Sequence, residues 1–425
     1  MRLPRGITAP RTVLAADYGV RTGKVDVRRA VIFGAGSVGR GFLGQLLCEA
    51  GWAVTFLDVA TELVAALATA GSYPHVTVGA AGHVRTVIAP VTAVDVRDAE
   101  AAVEALVAAE LAATSVGARA LPAVADTLAA AIARRIELGR PPLNVLLAEN
   151  VHDCAAVMRA LLAERLPGLS AATLAATVGL IETSIGRMIP ATTPAGAEPG
   201  VVVAEAYKLL PYDGSAVVGA LDVPGMVWDA SVPFAFYGDR KLYVHNLGHC
   251  FTANLGLLAG DELVCDAIGR PGIRYVVRAA MVESALALAA KYRVSPGPLL
   301  DHVDDLLHRF DNRALGDTNE RVARDPERKL AAGDRLVGAL RGALELGLPS
   351  RHLSLAVASG AVRLLGVPGW HEARLWAQLE AGLGDVMDAG QRRLLRGQVQ
   401  ALGLGFGFDA QLELIGKTFE PSRVI

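Results

Sequence analysis

Between residues 241 and 249 the chain reads Lys-Leu-Tyr-Val-His-Asn-Leu-Gly-His. Placed on an α-helix at about 100° per residue, Lys241, His245, His249 and Thr252 fall within about 80° of one another. Asn246 sits at the edge of that face. Val244, Leu247, Phe251, Leu255 and Leu258 gather on the opposite side. One face is apolar; the other is crowded with an amine, imidazoles and an amide. Such a face suits acid–base work on an alcohol. A metal-free dehydrogenase needs a base that takes the hydroxyl proton as hydride leaves the carbon. Lysine does this only if its pKa falls from about 10.4 towards about 7–8, at a cost of roughly 3–5 kcal/mol to the charged form. Amide donors such as Asn246 and Asn150 can hold the developing alkoxide. Two other readings fit the same residues. The face could simply be solvated, with Lys241 in water. His245 and His249 at i, i+4 also suit zinc, although the segment lacks the glutamate of HExxH and shows no third ligand.

A second constellation lies early in the chain. Gly34-Ala-Gly-Ser-Val-Gly39 follows the apolar run Arg29–Phe33 and opens a helical segment. Asp58 ends the next apolar run. Strand, glycine loop, helix, strand and acid together form a dinucleotide fingerprint. Gly34 permits the tight turn, Gly36 lets backbone approach a pyrophosphate, and Gly39 lets helix and strand pack closely. Ser37 and Val38 supply helix N-terminal N–H groups to phosphate. Asp58 can accept from both adenosine ribose hydroxyls and would repel a 2′-phosphate, so NAD is expected over NADP. Thr114-Ser-Val-Gly117 closes a later strand at the same edge. Val116 and Gly117 either line the cofactor's ribose or make an ordinary strand-to-helix turn.

These groups need a scaffold to hold them. Strands are expected at 29–33, 52–57, 113–116 and 144–147, with a late one at 205–207. Helices are expected at 41–51, 61–69, 101–113, 121–135 and 151–162. This alternation predicts a parallel sheet with helices on both faces. From about residue 235 strand signals fade and helical periods dominate to about 400. The fold class is therefore α/β: an N-terminal Rossmann-type doubly wound sheet with a mainly helical C-terminal domain. The expected division is an extension at 1–28, a cofactor domain at 29–210 and a substrate domain at 211–425, the boundary lying in the Ala/Thr/Pro/Gly-rich stretch near 195–220. The extension is rich in arginine and lacks a signal peptide's apolar core. It reads as a poorly ordered tail or the product of an upstream start codon.

Composition narrows the class. The chain has 425 residues, 52% hydrophobic and 20% charged, and a formal net charge of -2. That suits sizeable cores and gives no reason to expect nucleic acid or an anionic membrane as partner. No run is apolar for long enough to span a bilayer. Cys48, Cys154, Cys250 and Cys265 form no CxxC pair, which predicts free thiols in a reducing compartment and hence a cytoplasmic protein.

Four stretches resemble the polyol-specific long-chain dehydrogenases, the family of mannitol-1-phosphate 5-dehydrogenase, mannitol 2-dehydrogenase and the altronate and fructuronate reductases. They are Phe33-Gly-Ala-Gly-Ser-Val-Gly-Arg-Gly-Phe42, Asn144-Val-Leu-Leu-Ala-Glu-Asn150, Arg240–His249, which fits KxxxxNxxH, and Arg309-Phe-Asp-Asn312 running on to Arg328-Lys-Leu-Ala-Ala-Gly-Asp-Arg335. The last looks most like mannitol-1-phosphate 5-dehydrogenases. The resemblance covers about residues 29–400. It implies Lys241 as general base, Asn150 and Asn246 as amides on the alkoxide, His249 as a substrate-orienting partner, and no metal. It also implies a small polyol or polyol phosphate as partner, with mannitol 1-phosphate and fructose 6-phosphate as the first pair to consider. Altronate/fructuronate and free mannitol are the alternatives.

The chain departs from the family pattern in places. Val59-Ala60 stands where Asn is frequent, Arg313 where proline is usual, and Ser184-Ile-Gly-Arg-Met-Ile-Pro190 where the family often has Val-Asp-Arg-Ile-x-Pro. The last change bears on substrate choice. Arg187, Arg240, Arg328, Lys329 and Arg335 are candidates for a phosphate, and His245 for the substrate generally, since phosphate wants a fixed fork of donors. A β-hydroxyacid dehydrogenase would set Lys and Asn four apart, whereas Lys241 and Asn246 are five apart. An NAD-holding sensor would need a DNA- or partner-binding element, and no basic recognition helix is evident. Both a monomer and a homodimer fit the sequence.

Overall fold

The computed structural model describes residues 27–79, 82–151, 153–190 and 200–404. Most of the expected N-terminal extension, and part of the expected boundary stretch, lie outside the described residues.

Nine strands matter for the site: β1 Arg29–Phe33, β2 Ala53–Asp58, β3 Tyr73–Gly79, β4 Gly82–Ile88, β5 Val91–Asp95, β6 Leu111–Thr114, β7 Leu143–Leu147, β8 Val178–Glu182 and β9 Val202–Glu205. Six form one parallel sheet in the order β5-β2-β1-β6-β7-β8. This is the doubly wound order, with its switch point between β1 and β6, where such folds bind ligands. The strands alternate between two cores. Ala30 and Ile32 face one, with Phe42 and Phe56. Val31 and Phe33 face the other, with Leu106 and Leu128.

Register matters more than strand count. Phe33 pairs with Leu57 and with Thr114, and Thr114 pairs with Leu147, which pairs with Glu182. The carboxyl ends of five strands therefore end level. Gly34, Asp58, Ser115, Ala148 and Thr183 follow along one sheet edge.

The expected elements shift in detail. The helix expected at 101–113 runs Ala99–Ala108, and the strand after it starts at Leu111. The helix expected at 151–162 runs Cys154–Arg165, and the late strand ends at Glu205 rather than beginning there. β3, β4, β5 and β8 are additions. β3 and β4 pair antiparallel, and β9 adds parallel to β3 as a small second sheet.

The later chain is helical. Leu247–Ala259, Pro271–Tyr292, Gly297–Phe310 and Arg351–Leu365 pack round a single apolar core. Gly297–Phe310 shows why. Leu299, Val303, Leu306, Leu307 and Phe310 are buried while Asp301, Asp304 and His308 are exposed, a 3.6-residue stripe. No described helix is long and apolar enough to cross a membrane. Cys48 is partly buried, Cys154, Cys250 and Cys265 are buried, and all four are free thiols.

Candidate active site

The glycine loop has the expected cradle. Gly34 has φ +92°, a region that side chains rarely adopt. A Cβ on Gly39 would stand 2.0 Å from the Gly34 carbonyl oxygen, so no other residue fits there. A Cβ on Gly36 would meet nothing within 4 Å, which leaves open space at the loop. Asp58 sits at the end of β2 and grips this turn. Its Oδ2 accepts from Ala35 N–H at 2.7 Å and its Oδ1 from Ala60 N–H at 2.9 Å. A fixed carboxylate thus stands beside an open, N–H-rich loop, which fits an adenosine diphosphate with free ribose hydroxyls.

Two clefts meet below this edge. The narrower, 410 Å³, is lined by Val38, Ser115 and Gly117 from the sheet edge and by Lys241, His245, Asn246, His249 and Asp317 from the helical part. The wider, 950 Å³, extends past Trp228 and Phe234 to Arg328, Asp334 and Arg335. Glu149, Asn150, Lys241 and Asn246 line both.

The backbone of the Lys241 segment differs from the expected straight α-helix. Lys241–Asn246 is a π turn, and the α-helix resumes at Leu247. A π turn bonds i to i+5 and holds more residues per turn, so it carries Asn246 round from the edge of the face to the side of Lys241. The Ser284 hydroxyl donates to the Tyr243 carbonyl at 2.7 Å within this turn. Gly248 then lets the following helix lie against Met281, whose Sδ would be 2.3 Å from any added Cβ. Two positions of the expected faces move. Thr252 is fully buried and donates to the Gly248 carbonyl at 2.8 Å, away from the clefts. Leu258, placed on the apolar side, is 37% exposed.

Lys241 is pushed down to about 8, first by loss of water and then by the charge of Arg335. Among the described residues its amine has no hydrogen bond or ion pair, and neither Asn150 nor Asn246 makes a side-chain hydrogen bond. An amine and two amides thus line a shared wall with their polar atoms unspent. His245 is buried and held neutral, well below its ordinary pKa, by burial and then by Arg309, His249, His302 and Lys241. His249 stacks on Phe310 with ring centroids 5.0 Å apart and sets Nε2 2.9 Å from Asp317 Oδ2.

The remaining candidates divide. Arg187 lines the narrow cleft, but it is buried and four of its contacts are already made. It donates from Nε at 2.8 Å and Nη2 at 2.5 Å to the Glu205 carbonyl, and from Nη1 to the Gly41 carbonyl at 2.9 Å and Gln45 Oε1 at 2.7 Å. Arg240 packs its guanidinium over Phe236 and Tyr237, 5.9 and 5.1 Å from the ring centroids, and lines neither cleft. Lys329 is buried and donates to the carbonyls of Val322 and Arg324. Arg328 and Arg335 do reach the wider cleft, where both bond to Asp334, at 3.0 and 2.8 Å. Val116 and Gly117 N–H groups are occupied by the Glu149 carboxylate, at 2.9 and 2.8 Å.

Sequence reasoning missed Glu149, Asp317 and Arg321. Glu149 was open to notice, being the neighbour of Asn150 at the end of β7. Asp317 and Arg321 carry no local signal; only the tertiary fold brings them to His249. Among the described residues no group of three or more His, Cys, Asp or Glu side chains is placed to hold a metal ion.

The chain matches two family models, the mannitol dehydrogenase Rossmann domain over residues 28–221 and the mannitol dehydrogenase C-terminal domain over residues 234–363. It is similar in structure to Pseudomonas fluorescens mannitol 2-dehydrogenase, solved as a ternary complex with NAD and D-mannitol. The TM-score is 0.71 at 18% identity, over 93% of this chain and 95% of that one. A D-sorbitol dehydrogenase solved in substrate-free form gives a TM-score of 0.73 at 16% identity, over 91% and 95%. At such identities the structural likeness is one of fold.

Proposed function

This chain belongs to the mannitol dehydrogenase family, and from that premise we propose that it is an NAD-dependent oxidoreductase interconverting a linear polyol or polyol phosphate and its ketose. The observation that carries the reading is the unpaired Lys241 amine, lowered to about 8, on a wall shared with Asn150 and Asn246 and opening towards the glycine loop.

The residues divide the work. Lys241, as neutral amine, takes the proton from the substrate hydroxyl. Asn150 and Asn246 donate to the same oxygen as it gains charge, and those bonds strengthen where bound substrate and cofactor exclude water. His249 orients a neighbouring hydroxyl. The nicotinamide, when bound, supplies the hydride acceptor. In the reverse direction the Lys241 ammonium returns the proton to the ketose oxygen. Gly34 to Gly39 hold the pyrophosphate and Asp58 the adenosine ribose, whose 2′-phosphate it would repel.

Mannitol 1-phosphate and fructose 6-phosphate are the leading pair, on the strength of the segment that runs to Arg335. Arg328 and Arg335 line the wider cleft beside Lys241, and a terminal phosphate there would compete with Asp334 for them. Free mannitol and altronate are the alternatives within the family. The test is turnover of mannitol 1-phosphate, mannitol, altronate and arabinitol, each with NAD and with NADP. The expected result is NAD-linked oxidation of at least one, with kcat/KM higher for NAD than for NADP. Tight NAD binding with no turnover of any alcohol would overturn the reading in favour of a non-catalytic binder. Activity confined to a small 3-hydroxy acid would favour a β-hydroxyacid dehydrogenase.

A further inference from the structure

We propose that Asp317 is a positioning residue that fixes the ring of His249 for the substrate, an inference that rests on His249 being the substrate-orienting group. Three constraints converge on that imidazole. Phe310 stacks on it with planes only 12° apart, which sets the ring's plane. Its backbone lies on the helix just after the π turn, which sets its place on the wall. The Asp317 carboxylate stands at one edge, Oδ2 2.9 Å from Nε2, and both side chains are largely buried. Nε2 is itself buried and has no aligned acceptor among the described residues. The Asp317 carboxylate is close but lies well off the ring's N–H direction, so the contact is one of charge and proximity that aligns into a hydrogen bond when substrate binds.

The carboxylate is held ready. Its Oδ1 accepts from Arg321 Nε at 2.8 Å and from Arg321 Nη2. Its own carbonyl accepts from Val264 N–H at 2.9 Å, and the next residue, Thr318, caps a short helix and bridges to Leu263. Burial alone would raise the pKa of Asp317, but His249 and Arg321 take it below the usual carboxylate range. The anion therefore persists through neutral pH.

A neutral imidazole has one donor and one acceptor nitrogen. An anion at Nε2 selects the tautomer with the proton there. Nδ1, which makes no hydrogen bond among the described residues, is then the acceptor. A polyol presents a hydroxyl on each neighbouring carbon, so an acceptor with a fixed direction reads the configuration next to the reacting carbon. Without Asp317 the ring would populate both tautomers and turn more freely, so part of its acceptor function would be lost or misdirected.

The test is a double-mutant cycle on the full chain with saturating NAD and the best substrate of the panel above: Asp317→Asn, His249→Ala and the double variant. Asp317→Asn is expected to raise polyol KM about 10- to 100-fold with a smaller change in kcat. NAD Kd should stay within about twofold. The double variant should be no worse than His249→Ala alone, because Asp317 acts only through that ring. A double variant whose loss equals the product of the two single losses would overturn the proposal, since a purely structural role gives independent effects. If His249→Ala is defective and Asp317→Asn has wild-type KM, the dyad fails alone. If His249→Ala leaves polyol KM unchanged, the role given to His249 fails and the dyad falls with it. Should Asp317→Asn not fold, Asp317→Glu, which displaces the charge, goes through the same cycle with the same criteria.

Discussion

A lysine in water keeps its proton to about pH 10, whereas Lys241, partly buried in the cleft wall and beside Arg335, is pushed down to about 8. This has a sign that can be measured. Alcohol oxidation needs the neutral amine, so its rate should climb as pH rises through about 8 and level off above. Ketose reduction needs the ammonium, so its rate should fall over the same range. Replacing Arg335 with Met removes the second cause of the depression, and the rising limb of the oxidation profile should move to higher pH. A steady-state kcat/KM profile checks this, with Arg335→Lys, which keeps a positive charge, restoring much of the wild-type curve. An unmoved limb in Arg335→Met would mean that burial alone sets the base. Asp58 makes the second residue-scale point. Both of its oxygens are fixed by backbone N–H groups of the loop it serves. The carboxylate thus shapes the loop as well as being the proposed ribose acceptor, which an acid at a strand end does not reveal in a sequence.

At the scale of elements, the π turn is what makes the site. On a straight α-helix, five positions carry a side chain far round the axis, and Lys241 and Asn246 would face apart. The turn over Lys241–Asn246 corrects this with one extra residue. Inserting one residue, such as an alanine after Leu242, should set Lys241 and Asn246 six apart and swing the amide about 100° further round the axis. Helical content and NAD binding should survive, and turnover should fall by about two orders of magnitude or more, because amide and base no longer meet the same oxygen. Circular dichroism with single-turnover kinetics checks both halves, and near-wild-type turnover would contradict the account.

The glycine loop was legible because each of its steric demands is local: a turn at Gly34, a contact at Gly39. The apolar strands β1, β2 and β7 were legible as short buried runs. The β3–β4 hairpin was not. Pro74 lies within β3 and Pro90 just after β4, proline argues against strand, and the pairing of β3 with β9 spans more than a hundred residues. The π turn was not legible either, since a hydrophobic period records which residues are buried and is blind to a single inserted residue. Asn246 was nonetheless named, from its residue type and its distance from Lys241.

Across the whole molecule, the level strand ends of the sheet and the helical part meet at one cleft, and something must hold them there. The buried pair of Arg309 and Glu205 does so. Arg309 donates from Nε to Oε2 at 2.9 Å and from Nη2 to Oε1 at 2.5 Å, linking helix Gly297–Phe310 to the end of β9. The same Glu205 oxygen accepts from Met188 N–H at 2.5 Å, in the segment that lines the narrow cleft. Both side chains are under a tenth exposed, and removing the Glu205 charge leaves Arg309 only the more exposed Asp305, at 3.3 Å, as a charged partner. Glu205→Gln should cost about 3–5 kcal/mol, read as a lower urea midpoint and a melting temperature down by several degrees; an unchanged midpoint would show that the pair does not carry the junction. The proposed chemistry assigns the dinucleotide to one half of the molecule and the acid–base work to the other, and that division gives its most direct trial. In Lys241→Ala, NAD should bind with wild-type affinity by fluorescence titration while turnover of the best polyol falls by about three orders of magnitude or more. Wild-type-like turnover in that variant would contradict the assignment of Lys241 as the base.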